Sequence, residues 1–435
     1  MLLHDRSVSR GLALSIVAGL CAVAVAACGS SSTSSSAASG TSSTPAGTTP
    51  AATGTSATPT GKPIALGAIV IETGPVSSGG GYAYSANVAK GWAAWVNATG
   101  GLNGHPVTMK VLDDQASPSV TESDARQLVE QDHVAAVFAE TQTPSVIAPY
   151  LASHHVALFS TLGTGGHTQT TNSWFGVDVA PPYSATSFGV VDKDAGATKL
   201  SNAVCSEVAV CLSLGKEVAD FAPTVGMKFG VTTTIAETAT NATAQCLAFV
   251  GSHSDAINMF IGTNPISLIA NACNQQGYKG IYNTASVVDV TFNTIKLPMA
   301  LTMIEFPWWA NNPAVVQYRQ VMAKYAGGQD YKSDWASNMW ALLQTFSYGM
   351  KAKGPAASSA VAGPDVISAM QQGVKNVTLG GLLPQPVTFS ATGSTVLRCF
   401  WPAQYKDGVY STIQSSRPAG NGATGGLKSD CVPAS

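Results

Sequence analysis

PIALGAIVIETGPVSSGGG, residues 63–81, opens a stretch that runs to residue 164 and decides the fold. An apolar strand, a Gly-rich turn and a helical segment come first. A strand, an acidic turn, a helix, a strand, a helix and a strand then follow in that order. Strands that alternate with helices form a parallel, doubly wound sheet. The stretch therefore predicts an α/β lobe.

Each predicted strand of this lobe ends in a short polar loop. Ligands of doubly wound sheets bind at the carboxyl ends of the strands. The loops therefore predict one half of a ligand-binding cleft, rich in hydroxyl and amide groups. They are Thr73-Gly74-Pro75, Asp113-Asp114-Gln115, Thr141-Gln142-Thr143 and Ser160-Thr161-Leu162-Gly163.

A second series of strands and helices begins near Lys199 and predicts a second parallel sheet. The segments at 174–177 and 299–309 are typical of chain crossings between two lobes. The predicted fold class is α/β, with two doubly wound parallel-sheet lobes joined by a multi-strand hinge. Lobe 1 is predicted at residues 63–181 plus 308–384, and lobe 2 at residues 182–307 plus 385–435.

The composition excludes some classes of partner. The chain has 435 residues, of which 45% are hydrophobic and only 11% charged, with 22 Lys+Arg against 24 Asp+Glu. Nucleic acid is disfavoured as a partner, because no basic excess or Lys/Arg run is present to neutralise phosphates. The same balance disfavours binding to a membrane surface.

The N-terminal residues have the pattern of an export signal. Residues 1–27 carry Arg6 and Arg10 before an apolar run that is short for a membrane span. Small residues before Cys28 resemble a bacterial lipobox, which predicts a lipid on Cys28; an uncleaved signal anchor is the alternative. Residues 28–62 are rich in Ser, Thr, Ala, Gly and Pro and predict a flexible tether. The expected location is extracytoplasmic, lipid-anchored to the bacterial cell membrane.

Six cysteines remain once Cys21 and Cys28 are assigned to the signal and the lipid. An even number in an exported chain predicts disulfides, and six cysteines allow fifteen pairings. Pairing between sequence neighbours is favoured; metal ligation is the alternative, but no Cys-x-x-Cys spacing supports it. The favoured pairs are Cys205–Cys211, Cys246–Cys273 and Cys399–Cys431.

Motifs for catalysis are missing from the sequence. No Gly-x-Ser-x-Gly or His-Glu-x-x-His is present, and the pair His154-His155 lies where a helix is expected to end. The chain is therefore predicted to be no enzyme and to hold neither metal nor cofactor.

Three motifs together resemble the type I periplasmic binding proteins, most of all the leucine/isoleucine/valine-binding proteins of ABC importers. The likeness runs from about residue 63 to the end and is strongest in its first 100 residues. It implies a monomer that binds a small molecule and has an ABC permease in the membrane as its partner. The motifs are Thr73-Gly74-Pro75, Gly100-Gly101-Leu102-Asn103-Gly104 and Asp113-Asp114-Gln115-Ala116-Ser117-Pro118.

The resemblance implies ligand-binding residues in the first lobe. Gln142 and Thr143 occupy positions of the family loop that supplies a hydroxyl and backbone amides to the ligand carboxylate. Thr161 and Thr164 lie in a second such loop, and Tyr82 or Tyr84 matches an aromatic residue held over the ligand. Ordinary helix N-caps are the alternative for the loop residues.

The second lobe departs from the family pattern. Amino-acid binders hold the ligand ammonium with a carboxylate where our alignment places Ala285, and with an aromatic residue where it places Thr263 or Asn264. The missing carboxylate disfavours a plain branched-chain amino acid as the ligand. Further candidates for the cleft are Glu140, Glu207 and Trp308; surface carboxylates and packing at the hinge are the alternatives.

The sequence therefore predicts an extracytoplasmic solute-binding protein. It is expected to capture a small amino-acid-like or other small polar or carboxylate ligand and to deliver it to an ABC importer. A ligand-sensing ectodomain that signals to a partner receptor is the alternative, and an exported hydrolase is a less favoured one. The identity of the ligand stays open.

Overall fold

The computed structural model describes residues 58–74, 76–77, 81–160, 172–179, 183–207, 209–303, 305–413 and 428–432. The predicted signal, Cys28 and most of the predicted tether lie outside these residues. None of the described helices combines the length and the hydropathy that are needed to cross a bilayer.

The first sheet is fully parallel and has its first strand near the centre. Its strands are β1 (Ile64–Val70), β2 (Val107–Asp113), β3 (Ala136–Glu140), β4 (Ala157–Phe159) and β5 (Trp174–Phe175). Their order is β2-β1-β3-β4-β5, so the direction in which successive strands are added to the sheet reverses after β2. β1 is apolar almost throughout because helices cover both faces of a parallel sheet. The helices between the strands are α1 (Ala83–Ala98), α2 (Pro118–Glu130) and α3 (Pro144–Ser153).

The second sheet repeats this topology and adds antiparallel strands at one edge. Its strands are β6 (Lys199–Cys205), β7 (Lys228–Ile235), β8 (Ala256–Phe260), β9 (Ile281–Thr284), β10 (Met299–Met303), β13 (Cys399–Lys406), β14 (Val409–Thr412) and β15 (Asp430–Cys431). The order is β14-β13-β10-β9-β8-β6-β7, with β15 beside β13. β13 runs antiparallel to β10. Its helices are α4 (Tyr183–Asp194), α5 (Ala209–Phe221), α6 (Thr243–Gly251), α7 (Thr263–Gln275) and α8 (Asp289–Phe292).

Later segments of the chain return to the first sheet. They are α9 (Pro313–Tyr325), α10 (Asp334–Lys353), α11 (Gly363–Gly373) and the strands β11 (Phe389–Ser390) and β12 (Gly393–Ser394). Phe346 of α10 meets Phe138 and Phe159 edge to face, with ring centroids 5.6 and 5.7 Å apart. These buried contacts fix α10 against β3 and β4.

The predicted fold class is confirmed: the chain forms two α/β units, each built on a parallel sheet. The exact lobe bounds stay a prediction. Phe389 of β11 contacts Phe175, with ring centroids 5.0 Å apart, so the hairpin at 389–394 lies beside the first sheet.

A buried polar network ties α4 to two strands of the second sheet. Asn283 donates to Asp192 Oδ1 at 2.8 Å, and the Thr302 hydroxyl donates to Asn283 Oδ1 at 3.0 Å. All three side chains are fully buried. Burial raises the pKa of Asp192 to about 7, against the effect of the bond from Asn283. The two bonds give partners to the Asn283 amide, the Thr302 hydroxyl and one oxygen of Asp192, groups that are expensive to bury alone.

Three disulfides form between sequence neighbours. Cys205 bonds to Cys211 and joins the end of β6 to α5, and Cys246 bonds to Cys273 between α6 and α7. Cys399 bonds to Cys431 between the paired strands β13 and β15. These are the pairs that the sequence favours.

Candidate functional site

A cavity of about 180 Å³ opens between the two sheets. From the first unit it is lined by the residues around the starts of α1 and α10 and by Gln142 after β3. From the second it is lined by residues at or just beyond the carboxyl ends of β6, β7, β8, β9 and β10. These include Cys205, Glu237, Gly262, Thr263, Ser286 and Glu305. Doubly wound sheets bind ligands at this edge, near the point where the strand order reverses.

Two aromatic rings form one wall of the cavity. Tyr82 lies directly before α1 and Trp335 is in the first turn of α10; their rings stack with centroids 4.0 Å apart and planes inclined by 20°. The Gln142 amide donates to the Tyr82 hydroxyl. Ser85 of α1 donates to the backbone oxygen of Trp335 at 3.0 Å, which holds the two helix starts together.

Carboxyl groups dominate the charge of the cavity. No lysine, arginine or histidine is found among the described residues that line it. The pKa of Tyr82 is raised well above its ordinary value, first by burial and then by the negative charge of Asp334 and Glu237. The carboxyl-bearing residues in the lining are Asp178, Glu217, Glu237, Glu305 and Asp334.

Glu237 follows β7 and is held by the backbone around it. Its two carboxylate oxygens accept the N–H of Gly262 at 2.8 and 2.9 Å, at the start of α7. Its own N–H donates to Glu207 Oε1 at 2.7 Å. The side chain is only 3% exposed, and burial, aided by the charge of Glu207, raises its pKa to about 7.

Glu305 and Asp334 are two further acidic residues of the cavity lining. Glu305 follows β10, and Asp334 is the first residue of α10, whose N-cap Ser333 accepts the N–H of Ala336 at 3.1 Å. Glu305 is 7% exposed and Asp334 3%. Burial raises the pKa of both groups, and the charge of Glu305 raises that of Asp334 further. Each carboxyl group is therefore favoured in its neutral form unless a positive group compensates it.

The sequence profile of the periplasmic binding protein family matches residues 63–409. The chain belongs to this family. A leucine-binding protein from Thermotoga maritima is similar, with a TM-score of 0.66 and 15% identity over 81% of this chain and 98% of that chain. A possible leucine/isoleucine/valine-binding protein from Rhodopirellula baltica has a TM-score of 0.66 and 13% identity, over 83% and 98%.

A third solved structure is a solute-binding protein of an ABC transporter from R. palustris in complex with benzoate. It has a TM-score of 0.66 and 12% identity, over 85% of this chain and 98% of that chain. No curated protein sequence matches the chain. At these identities the solved structures show a shared fold, and membership of the family implies an extracytoplasmic location.

In this periplasmic binding protein, many polar groups at the carboxyl edge of the first sheet form hydrogen bonds with one another. The carboxylate of Asp113 accepts the Thr73 hydroxyl at 2.5 Å and the N–H of Glu72 at 2.9 Å. Asp114 accepts the hydroxyls of Thr121, at 2.7 Å, and of Thr141. The predicted hydroxyl cluster exists, but most of it stabilises the turns instead of lining the cavity.

The structure brings two of the predicted ligand-binding residues, Tyr82 and Gln142, together at the cavity. Thr143 lies 3.0 Å from the Thr121 hydroxyl, outside the lining. Asn264 also lies outside the lining, with its amide 3.5 Å from the Glu237 backbone oxygen. Thr161 and Thr164 lie outside the described residues. The ligand-binding roles of all these residues stay predictions.

The three further cleft candidates are not part of the cavity lining. Glu140 is fully buried, 3.4 Å from the amide of Asn338. Glu207 is exposed and supports the backbone of Glu237. Trp308 is buried at the hinge against Trp309, with ring centroids 4.8 Å apart.

Four cavity residues were not selected from the sequence: Glu237, Glu305, Asp334 and Trp335. Glu237 carried a usable signal, because it is the last residue of a predicted strand segment, and ligands of such sheets bind at the carboxyl ends of strands. The sequence pattern around Trp335 indicates a core residue of an amphipathic helix. Its place at the cavity depends on the packing of α10 against α1. The described residues contain no group of three or more His, Cys, Asp or Glu that is arranged to hold a metal ion.

Proposed function

We propose that this chain is the solute-binding component of an ABC importer. It captures a small ligand, amino-acid-like or otherwise polar, in the cavity and delivers it to a permease in the membrane. The observation that supports this most is the cavity itself, to which the carboxyl edge of the second sheet and the starts of α1 and α10 both contribute. In this proposal the protein is a monomer that is tethered by a lipid on Cys28.

Capture depends on contacts from both sides of the cavity. A ligand that touches Tyr82 and Gln142 on one side and Glu237 and Thr263 on the other favours the conformation in which both sides are close. The closed form is then the signal that a permease recognises. Binding of this kind requires no covalent step.

A thermal-shift screen of the purified full chain tests capture. A ligand at about 100 times its Kd stabilises a protein by about 2.7 kcal/mol, which raises its Tm measurably. Gln142→Ala is expected to reduce the shift, while Gln276→Ala, an exposed amide at the end of α7, keeps it. Turnover of a substrate without stabilisation by any small molecule contradicts the proposal.

Delivery is tested in cells. Deleting the gene is expected to abolish uptake of the radiolabelled ligand, and the Cys28→Ala variant is expected to release the protein from the membrane fraction. Unchanged uptake together with a lost transcriptional response to the ligand indicates the sensing ectodomain instead.

A further inference from the structure

The ionisable side chains that line the cavity are acidic. Five carboxyl-bearing residues line it, and the described lining contains no cationic side chain. In the sequence, no lysine or arginine occurs between Arg126 and Lys193, a stretch that includes the cavity residues Gln142 and Asp178. A free carboxylate ligand would therefore meet like charge and would find no basic partner among the described residues.

Two of the carboxyl groups have an oxygen without a hydrogen-bond partner among the described residues. These atoms are Glu305 Oε2 and Asp334 Oδ1. Both side chains are more than nine-tenths buried and both line the cavity. Buried carboxylates are normally paired or hydrogen-bonded, because desolvation of the charge is otherwise expensive. A positively charged N–H donor is the kind of group that would satisfy such an oxygen.

The aromatic wall adds a second attraction for a cation. Trp335 is the sequence neighbour of Asp334, and its ring stacks on Tyr82. The face of an indole ring attracts an ammonium group within about 6 Å, most strongly where water is excluded. Carboxyl groups beside an aromatic face form a combination that recognises organic cations.

Much of the remaining lining is apolar. It includes Phe188, Met259, Phe260 and Ile261 from the second unit. These side chains suit a compact hydrocarbon group, as in many small-molecule sites that fix orientation with a few polar groups.

We propose that the cavity selects a small organic amine with an apolar body, bound through its ammonium group to Glu305 and Asp334 beside Trp335. The ligand needs no carboxylate of its own. This proposal deepens the proposed function, and rests on it, by naming the class of ligand. It also explains why Ala285, after β9, can replace the family's ammonium-binding carboxylate. In this chain the acidic partners lie after β10 and at the start of α10 instead.

A proton is the competing occupant of this position. Either carboxyl group can take up a proton instead, since burial favours the neutral form of both and the charge of Glu305 adds to this effect at Asp334. The other ionisable groups around the cavity are Tyr82, Asp178, Glu217 and Glu237, with Glu140 near Tyr82 and Glu207 beside Glu237. All of them are acidic, so none replaces the ammonium group as a positive partner.

Calorimetric titration of the full chain with matched triads of probes tests the proposal. Each triad shares one apolar group and differs in its polar end: benzylamine, benzyl alcohol and benzoate, and likewise 3-methylbutylamine, 3-methylbutanol and 3-methylbutanoate. We expect at least one amine to bind about tenfold or more tightly than its alcohol at about pH 8, and both carboxylates to bind more weakly still. Amine binding is also expected to release protons, measured in two buffers of different ionisation enthalpy.

Isosteric variants identify the partner groups. Glu305→Gln and Asp334→Asn are expected to weaken amine binding by about tenfold or more and to change alcohol binding less than about twofold. Glu122→Gln, which removes an exposed carboxylate on α2, is the matched control and should change neither. Circular dichroism and Tm verify that each variant is folded.

The outcomes separate the two proposals. If carboxylates or alcohols bind and amines do not, or if amine affinity is equal in Glu305→Gln, the amine proposal is wrong and the solute-binding function stands. If calcium or magnesium salts alone stabilise the chain and Glu305→Gln abolishes this, the position takes a metal cation instead. If neither these probes nor a broad small-molecule library binds, the solute-binding function itself is contradicted.

Discussion

Trp335 stacks on Tyr82 with ring centroids 4.0 Å apart. The neighbouring residues Ser333 and Gly81 also meet, although 252 positions of the chain separate them. The Ser333 hydroxyl donates to the Gly81 backbone oxygen at 3.0 Å, directly beside the stack. The starts of α1 and α10 are thereby joined at the cavity.

Removing the indole ring is expected to weaken ligand binding. Trp335→Ala loses an aromatic pair worth about 0.5–1.5 kcal/mol beyond its area and a cation–π contact of about 0.5–2 kcal/mol. We expect Kd to rise by about tenfold or more, measured by calorimetry with the best ligand from the screen. Tyr348→Ala removes a 45% exposed ring from the same helix and should leave Kd unchanged. Equal affinity in both variants would place the ligand elsewhere.

A single methyl group at position 81 should disturb the aromatic wall. A Cβ on Gly81 lies 2.9 Å from Trp335 Cδ1 and 2.9 Å from Val288 Cγ2, closer than real Cβ contacts, so the indole must shift. We expect Gly81→Ala to fold and to bind its ligand more weakly, with altered tryptophan fluorescence. Gly251→Ala meets no heavy atom within 4 Å and is the control. Unchanged affinity in Gly81→Ala would show that the wall tolerates the shift.

The stability of the ligand-free protein is expected to fall as pH rises from about 5 to 8. The folded-state pKa of Glu237, about 7, lies above its ordinary value of 4.5 because the group is buried. The folded state therefore binds the proton more tightly than the unfolded state. This contribution is complete below about pH 4.5 and is lost as pH rises through about 7. Asp192, also at about 7, acts in the same direction.

Urea unfolding at about pH 5.5 and about pH 8 measures this effect. Glu237→Gln should reduce the difference in unfolding free energy between the two pH values, because its amide does not titrate. Glu122→Gln should keep the full difference. A free energy of unfolding that increases over this range in the ligand-free protein would contradict the raised pKa values.

Breaking the buried polar network should destabilise the fold. Asn283→Ala leaves Asp192 Oδ1 and the Thr302 hydroxyl without the partners described above. Each unsatisfied buried group costs about 1–3 kcal/mol, so we expect a loss of about 2–5 kcal/mol in the free energy of unfolding. Asn274→Ala, an exposed position on α7, should be close to neutral. A loss below about 0.5 kcal/mol in Asn283→Ala would mean that water replaces the missing amide.

Two of the disulfides are expected to differ in their effect on binding. Replacing Cys246 and Cys273 by serine opens a link across 27 positions and should cost about 2–4 kcal/mol of stability. Ligand affinity should be retained, because neither residue lines the cavity.

Replacing Cys205 and Cys211 by serine should lower affinity as well as stability. Both residues line the cavity, and their bond closes the loop in which Glu207 supports the backbone of Glu237. Calorimetry and chemical unfolding on the two double variants separate these effects. Equal affinity in both would assign the Cys205–Cys211 bond to stability alone.

Much of the architecture was predictable from local sequence. The apolar run at 64–70 and the polar residues that follow it indicated β1 and its carboxyl end, because burial on both faces requires an unbroken apolar strand. Neighbouring cysteines indicated the three disulfides, which short chain separations make accessible. The export signal and Cys28 lie outside the described residues and stay predictions.

The site was predictable only in part. Tyr82 and Gln142 were identified through the family resemblance and line the cavity. Thr141 carries the same kind of polar signal, yet its hydroxyl is bound to Asp114. A sequence pattern indicates which end of a strand is polar, but not which of those side chains find partners among themselves.

By itself, the sequence determined the alternation of strands and helices, the edge of each sheet at which polar residues collect, and the family. The spacing of apolar residues and the polar residues at strand ends are properties of short chain segments, so the sequence alone contains them. Only the tertiary structure decided the character of the cavity. Glu305 and Asp334 are separated along the chain by a crossing and by α9, and neither directly follows a predicted strand. They come together only because the end of β10 and the start of α10 border the same cavity, and their burial there gives their charge its importance.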